Sequence, residues 1–274
     1  MNEGTDSGAS GAVLGGVEST AFDVGDLTVL ALNDGQFTMW REFLTDPWPH
    51  DELAGPDGTV RLPIGCFLLP GDKNVLIDAG FGPQERGALR GGRLPTELRA
   101  QGFTPADVDV LAISHLHPDH TGWIATPEVE PVFPNAQVVV NRADWEFFVE
   151  RQEKPLAEHV RTALLDLAES DRVTLLDGES QIHRGVTALS APGHTPGHTV
   201  FAVHDRGERA LLLGDAIYCP QQLTNLDWGA IVDVDPALAR QTREALLRDL
   251  EQPDVLGVGC HFPGLLANRA IVNR

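Results

Sequence analysis

The chain has 274 residues, 40 acidic and 20 basic, for a formal charge of −20 at neutral pH. Such a surface repels phosphate backbones and anionic membranes, and no local basic patch offsets it, so nucleic-acid and lipid-surface binding are excluded as functions. With 42% hydrophobic residues the chain can bury a full core, yet no apolar run approaches the roughly 20 residues that span a bilayer.

Residues 1–20 read as a tail rich in Gly and Ser, with acidic residues where a secretory leader carries basic ones. Residues 21–274 read as one domain. Within 27–40, Asn33-Asp34-Gly35 predicts a turn joining two strands. The Pro- and Gly-rich stretch 41–63 is long for a connector, and long loops in compact domains are often functional. Strands follow at 64–70 and 74–78, joined by Gly71-Asp72-Lys73. A helix is expected from Leu94 to Gln101, ended by Gly102. The apolar run 108–113 is a short strand, and 136–140 another. Residues 142–168 carry helical spacing broken near Pro155. Further strands are expected at 172–176, 186–190, 199–203 and 210–213, then a helix capped by Asp235-Pro236 running to Leu250, and a last buried strand at 254–258. Strands grouped at both ends of the chain, with helices interspersed, predict an α+β sandwich of two sheets flanked by helices.

The strand 108–113 runs directly into Ser114-His115-Leu116-His117-Pro118-Asp119-His120, which holds three of the chain's ten histidines. Residues two apart in extended chain point the same way, so His115 and His117 can reach one metal ion. Asp119 and His120 follow the turn that Pro118 imposes and point elsewhere, so one segment can supply two neighbouring ions. Imidazole suits zinc, copper, iron or nickel, and zinc takes four ligands with one position open at catalytic sites. Three further stretches offer ligands at strand ends beside glycine: His194 in Pro192-Gly193-His194, Asp215 in Leu213-Gly214-Asp215, and His261 in Gly259-Cys260-His261. Glycine at these points lets backbone approach a metal closely.

In these residues the sequence resembles the metallo-β-lactamase superfamily, whose mark is His-x-His-x-Asp-His followed by separate His, Asp and His ligands. The resemblance covers roughly residues 22–272, including Val75-Leu76-Ile77-Asp78-Ala79-Gly80 ahead of the motif. It implies an αββα sandwich with a site for two divalent ions, zinc first, with manganese, cobalt or iron also suited. His115, His117 and His194 would hold one ion, Asp119, His120 and His261 the second, and Asp215 would bridge them. The implied chemistry is hydrolysis of an ester or lactone, an acyl-homoserine lactone above all, by a hydroxide shared between the ions. Asp119 would shuttle the leaving-group proton. Tyr218, the only tyrosine, sits where lactonases of the superfamily place a donor to the substrate carbonyl oxygen.

His117 argues against the redox flavodiiron branch, and Asp215 against the true zinc β-lactamases, which lack that bridge. Thirteen residues follow His261, too few for the helical domain of glyoxalase II-like thioesterases. The pattern looks most like the lactonase and organophosphate hydrolase branch, although His261-Phe262-Pro263-Gly264-Leu265 lacks the second Phe-Pro typical there. Phosphotriesters, aryl esters or thioesters are the alternative substrates. A mononuclear iron persulfide dioxygenase and a non-catalytic metal-binding module rank below them.

His198, four after His194, is expected to orient its loop, and Asp78 to hydrogen-bond a ligand from outside the metals. His50, His159, His183 and His204 are expected to face solvent. Alternation points Cys260 away from the metals, while Cys219 lies in a pocket loop with its role open. Trp40, Phe43, Trp48 and Trp123 fit a pocket wall or the core equally well. The three cysteines, odd in number and widely spaced, form no disulfide framework and suit a reducing cytoplasm, and a homodimer is the default assembly.

Overall fold

The computed structural model describes residues 20–40, 42–44 and 53–267. Trp48, His50 and nearly all of the expected tail lie outside that range. Two sheets are present. The first has nine strands: β1 (Thr20–Val24), β2 (Leu27–Met39), β3 (Val60–Leu69), β4 (Val75–Ile77), β5 (Glu85–Arg86), β6 (Leu89–Arg90), β7 (Val110–Ala112), β8 (Gln137–Asn141) and β9 (Val173–Leu176). The second has five in chain order: β10 (Ser180–His183), β11 (Val186–Ser190), β12 (Thr199–Asp205), β13 (Glu208–Leu212) and β14 (Val255–Val258).

The sheets pack face to face through Phe67, Ile77, Ala112 and Val139 of the first and Val186, Phe201, Leu212 and Val258 of the second. Apolar runs such as Val110–Ala112 and Val255–Val258, buried throughout, need cover on both faces. Helices supply it. On the first sheet, Leu94 and Leu98 of the helix Leu94–Ala100 join Val160, Leu164 and Leu167 of a later helix, Glu158–Glu169. On the second, Leu246 and Leu250 of Pro236–Leu250 pack on Leu211 and Val200. Burying each such leucine contributes about 1.5–3 kcal/mol. The Pro236–Leu250 helix starts where expected: Pro236 opens its first turn and the Asp235 carboxylate accepts from Leu238 N at 2.9 Å.

Asn33-Asp34-Gly35 is not a turn. Residues 27–39 form one strand whose register against β3 shifts between Asn33 and Gly35, a bulge that buries Asp34 completely. Gly35 is required there, because a Cβ would stand 1.8 Å from Arg90 O. The expected helix over 142–168 is three pieces: a single helical turn at Arg142–Asp144, a wide π turn at Trp145–Glu150, and the Glu158–Glu169 helix beyond the Pro155 break. Strands β1, β5, β6 and β10 escape the pattern reading because they are short or weakly buried. No helix among the described residues is long and apolar enough to cross a membrane.

Two parallel strand pairs bring the polar motifs to one edge of the sandwich. β4 pairs with β7 in the first sheet and β13 with β14 in the second. Asp78, Ser114, Asp215 and His261 all lie just past the carboxyl ends of these four strands.

Candidate metal centre

His115 follows the end of β7, His117 caps a short helix at Pro118–Thr121, and Asp119 and His120 sit inside it. Pro118 takes the first helical position, where its missing N–H costs nothing. The separation into two directions predicted for this segment is therefore built by one tight turn. His194 arrives on the loop ahead of β12, Asp215 on a 3-10 turn after β13, and His261 on the turn after β14.

Two groups of donor atoms result, each within 4.8 Å internally: His115, His117, His194 and Asp215, and His120, Asp215, Cys260 and His261. In the first, His117 Nδ1 lies 3.0 Å from His115 Nε2 and 2.9 Å from His194 Nε2. Asp215 belongs to both. Its Oδ2 faces His115 Nε2 at 3.7 Å and His194 Nε2 at 3.6 Å, and its Oδ1 faces His120 Nε2 at 3.2 Å and His261 Nε2 at 3.3 Å. Asp119 stands at the rim, Oδ2 3.5 Å from His261 Nε2 and Oδ1 3.9 Å from His120 Nε2.

The donor set fits metal. His120 Nε2 and His261 Nε2 are buried without a hydrogen-bond partner, although a carboxylate oxygen is near each. Buried imidazole nitrogens left unpaired are costly unless an ion takes them up. The opposite ring nitrogens are all engaged, which turns Nε2 inward. His120 Nδ1 meets Asp78 Oδ2 at 2.8 Å, His261 Nδ1 meets Pro63 O at 2.7 Å, His194 Nδ1 meets Asp233 Oδ1 at 2.9 Å, and His115 Nδ1 meets Ser114 Oγ at 3.1 Å.

The electrostatics divide the two groups. Burial, reinforced by His120, pulls the His115 pKa well down, and burial with His194 lowers that of His117 to about 3. Burial also opposes charge on His120 and His261, but is outweighed by Asp215 and Asp78 at His120 and by Cys260 and Asp215 at His261, and both pKa values rise well above the usual range. At Asp119 burial is overcome by His120 and His261, so its carboxyl stays below the ordinary value.

Asp78 does what was expected of it and more. It adopts φ 64°, a left-handed conformation that aspartate tolerates better than most residues. From there it accepts from Ser114 N at 2.7 Å and Ser114 Oγ at 2.8 Å as well as meeting His120. His198 lies behind these donor groups, its Nε2 accepting from Asp215 N at 3.1 Å. Gly214 makes room for that ring, since a Cβ would come within 2.7 Å of His198 Nε2. This glycine therefore serves a histidine, not a close approach to metal.

Above the two groups opens a cavity of about 280 Å³, with Asp119, Asp215 and His117 at its floor and Phe37, Trp40, Phe43 and Tyr218 in its wall. Larger clefts elsewhere hold none of these donors. Tyr218 is 3% exposed and stacks on His261, ring centroids 5.3 Å apart and planes 2° from parallel. Burial, then Asp215, pushes its phenol pKa well up, so the hydroxyl remains a donor. Trp123 is not on this wall; its Nε1 donates to Asp34 Oδ1 at 2.7 Å. Cys219 is fully buried, its thiol pushed up to about 11 by burial. His204 is exposed as expected, whereas His159 is half-buried and His183 is largely covered and pairs with Asp72 at 2.9 Å.

Cys260 corrects an expectation. Alternation was to point it away, but the strand has already ended: Phe262 N donates to Gly259 O at 3.1 Å, so residues 259–262 form a turn. Cys260 and His261 then project together, and Cys260 Sγ stands 3.0 Å from Asp215 Oδ1. Three buried acids were not foreseen as supports. Asp233 holds His194 and is itself 3.5 Å from Arg243 Nη1. Asp144 accepts from Gly197 N at 2.6 Å, Thr195 Oγ1 at 2.9 Å and Leu116 N at 3.2 Å, tying the His194 loop to the His115 segment. Asp34 accepts from the backbone of Phe81, Gly82, Gly92 and Leu94 and from Trp123. Each is a lone acid with no motif spacing to announce it.

A family model for the metallo-beta-lactamase superfamily matches residues 60–261, which include every one of these donor residues. The chain belongs to the metallo-beta-lactamase superfamily. Within the superfamily it is 26% identical over 203 residues to the N-acyl homoserine lactonase AiiA of Bacillus thuringiensis subsp. kurstaki, covering 67% of this chain and 75% of that one. Over a shorter span of 136 residues, 44% of this chain and 46% of the other, it is 33% identical to the N-acyl homoserine lactonase AttM of Agrobacterium fabrum. Solved structures share the fold. AidC, a dizinc quorum-quenching lactonase in complex with a product, superposes with TM-score 0.78 at 23% identity, over 90% of this chain and 91% of that one. The hydrolase AbOPH gives 0.80 at 24% identity over 92% of each.

Proposed function

We propose that this protein is a two-metal hydrolase that opens lactone rings, with N-acyl-homoserine lactones as its substrate class and zinc as its metal. The observation that carries the reading is Asp215, whose two oxygens face separate histidine groups beneath an apolar cavity. Relatives named as lactonases support the choice of substrate. His115, His117 and His194 would hold one ion and His120, Asp119 and His261 the other, with Asp215 shared. Bound ions supply Lewis acidity and lower the pKa of water to about 7.

The chain's own residues do the rest. The aromatic wall of Phe37, Trp40 and Phe43 receives an acyl chain and excludes water around the ring. Tyr218, kept protonated, donates to the carbonyl oxygen as negative charge develops there. Asp119 borders the cavity as a carboxylate; it takes up the proton given off by the attacking water and passes it to the departing ring oxygen. One water is consumed, the ring C–O bond breaks, and the product is an acyl hydroxy acid. Three buried, unpaired cysteines support a reducing compartment such as the cytoplasm.

The test is proton release at constant pH from short- and long-chain acyl-homoserine lactones, using zinc-loaded protein and the same protein after chelation. One proton per ring, abolished by chelation and restored by zinc, is the expected result. No release from any lactone would overturn the reading and pass the site to phosphotriesters, aryl esters or thioesters.

A further inference from the structure

Resting on the two-ion reading above, we propose that Cys260 is a ligand of the second ion, its thiolate joining His120, His261 and Asp215 on the side of the site away from the cavity. Four observations meet there. Cys260 is fully buried, so its sulfur has no solvent-facing use. The turn at 259–262 throws it to the same side as His261. Its Sγ, 3.0 Å from Asp215 Oδ1, lies within 4.8 Å of the donor atoms of His120, His261 and Asp215. Finally, the two imidazole nitrogens of that group are buried without a hydrogen-bond partner, with Asp215 Oδ1 lying 3.2 Å from one and 3.3 Å from the other.

Two imidazoles, a carboxylate and a thiolate make a four-donor set that zinc and cobalt favour, whereas manganese and magnesium prefer all-oxygen or nitrogen–oxygen surroundings. Asp119, on the cavity side, would then share the holding of that ion with Cys260, which leaves its carboxylate more available for proton transfer. Coordination turns the thiol into a thiolate, so binding the second ion releases one proton from Cys260 to solvent. The competing role is a thiol that only donates to Asp215 Oδ1, which leaves sulfur uncoordinated.

Cobalt(II) separates the two, because a thiolate bound to it gives a charge-transfer band in the near ultraviolet and a thiol does not. The whole protein would be titrated with cobalt under anaerobic conditions, with bound metal counted in parallel. The band is expected to grow with the second equivalent, to vanish in Cys260→Ser and to persist in Cys219→Ser. The Cys260→Ser change is also expected to weaken the second equivalent roughly tenfold or more. Two bound equivalents without the band, or a band indifferent to Cys260→Ser, would remove the assignment and leave the lactonase reading standing. Fewer than two equivalents would defeat both. Should Cys260→Ser fail to fold, the wild-type spectrum alone decides.

Discussion

Tyr218 and Asp34 show how differently single residues bear on this protein. Tyr218 is held by a parallel stack on His261 and an edge contact from Phe43, centroids 4.9 Å apart. Tyr218→Phe keeps both contacts and removes only the hydroxyl, so it isolates that donor. The expected effect on lactone opening is a fall in kcat of about a hundredfold with KM little changed; unchanged kcat would make the tyrosine a wall residue. Asp34 lies outside the reacting groups and organises the loops around them. Its carboxylate receives four backbone N–H groups and the Trp123 indole. Asp34→Ala would strand five donors, three of them fully buried, and cost about 3 kcal/mol or more, read as a lower urea midpoint. A midpoint within error of wild type would contradict that role.

At the scale of elements, the site is made where parallel strands stop. β4 and β7 deliver Asp78 and His115, and β13 and β14 deliver Asp215 and His261. Acid should separate the two donor groups. His115 and His117 are resisted as cations, so their native-state pKa values lie below the unfolded value of about 6.5. Their contribution to stability is complete above that pH and is lost as pH falls toward the His117 value of about 3. His120 and His261, with raised values, contribute fully below about 6.5 and lose that contribution as pH rises through their folded values. Protons therefore compete with metal more strongly at His120 and His261. Dialysis of the two-metal protein at stepwise lower pH, followed by metal analysis, is expected to show one equivalent leaving before the other. Loss of both in a single step would contradict the assignment. The proposed ligands behind this prediction are legible in sequence because each stands in a short local motif after an apolar strand. Asp144, Asp233 and Asp34 are not, since only tertiary contact gives a lone acid its donors. Two misreadings have the same origin: Asn33-Asp34-Gly35 suits a bulge as well as a turn, and alternation fails at Cys260 because the strand ends at Val258.

Over the whole molecule, two sheets pressed together through one apolar layer bring four distant stretches of chain to one edge. The periodicity of helices and buried strands shows the layers, which is why an αββα sandwich is foreseeable from sequence. The pairing of β2 with the small β6 strand, which sets Ala88 and Leu89 in the cavity wall, depends on long-range register and is not. Everything proposed for function passes through Asp215 as the residue common to two metal-binding groups. The most direct measurement is therefore a count of zinc ions on the intact protein by native mass spectrometry, beside Asp215→Ala. The account predicts two ions on the wild type and fewer on the variant. A wild-type protein that saturates at one ion, or a variant that still binds two with undiminished affinity, would contradict it.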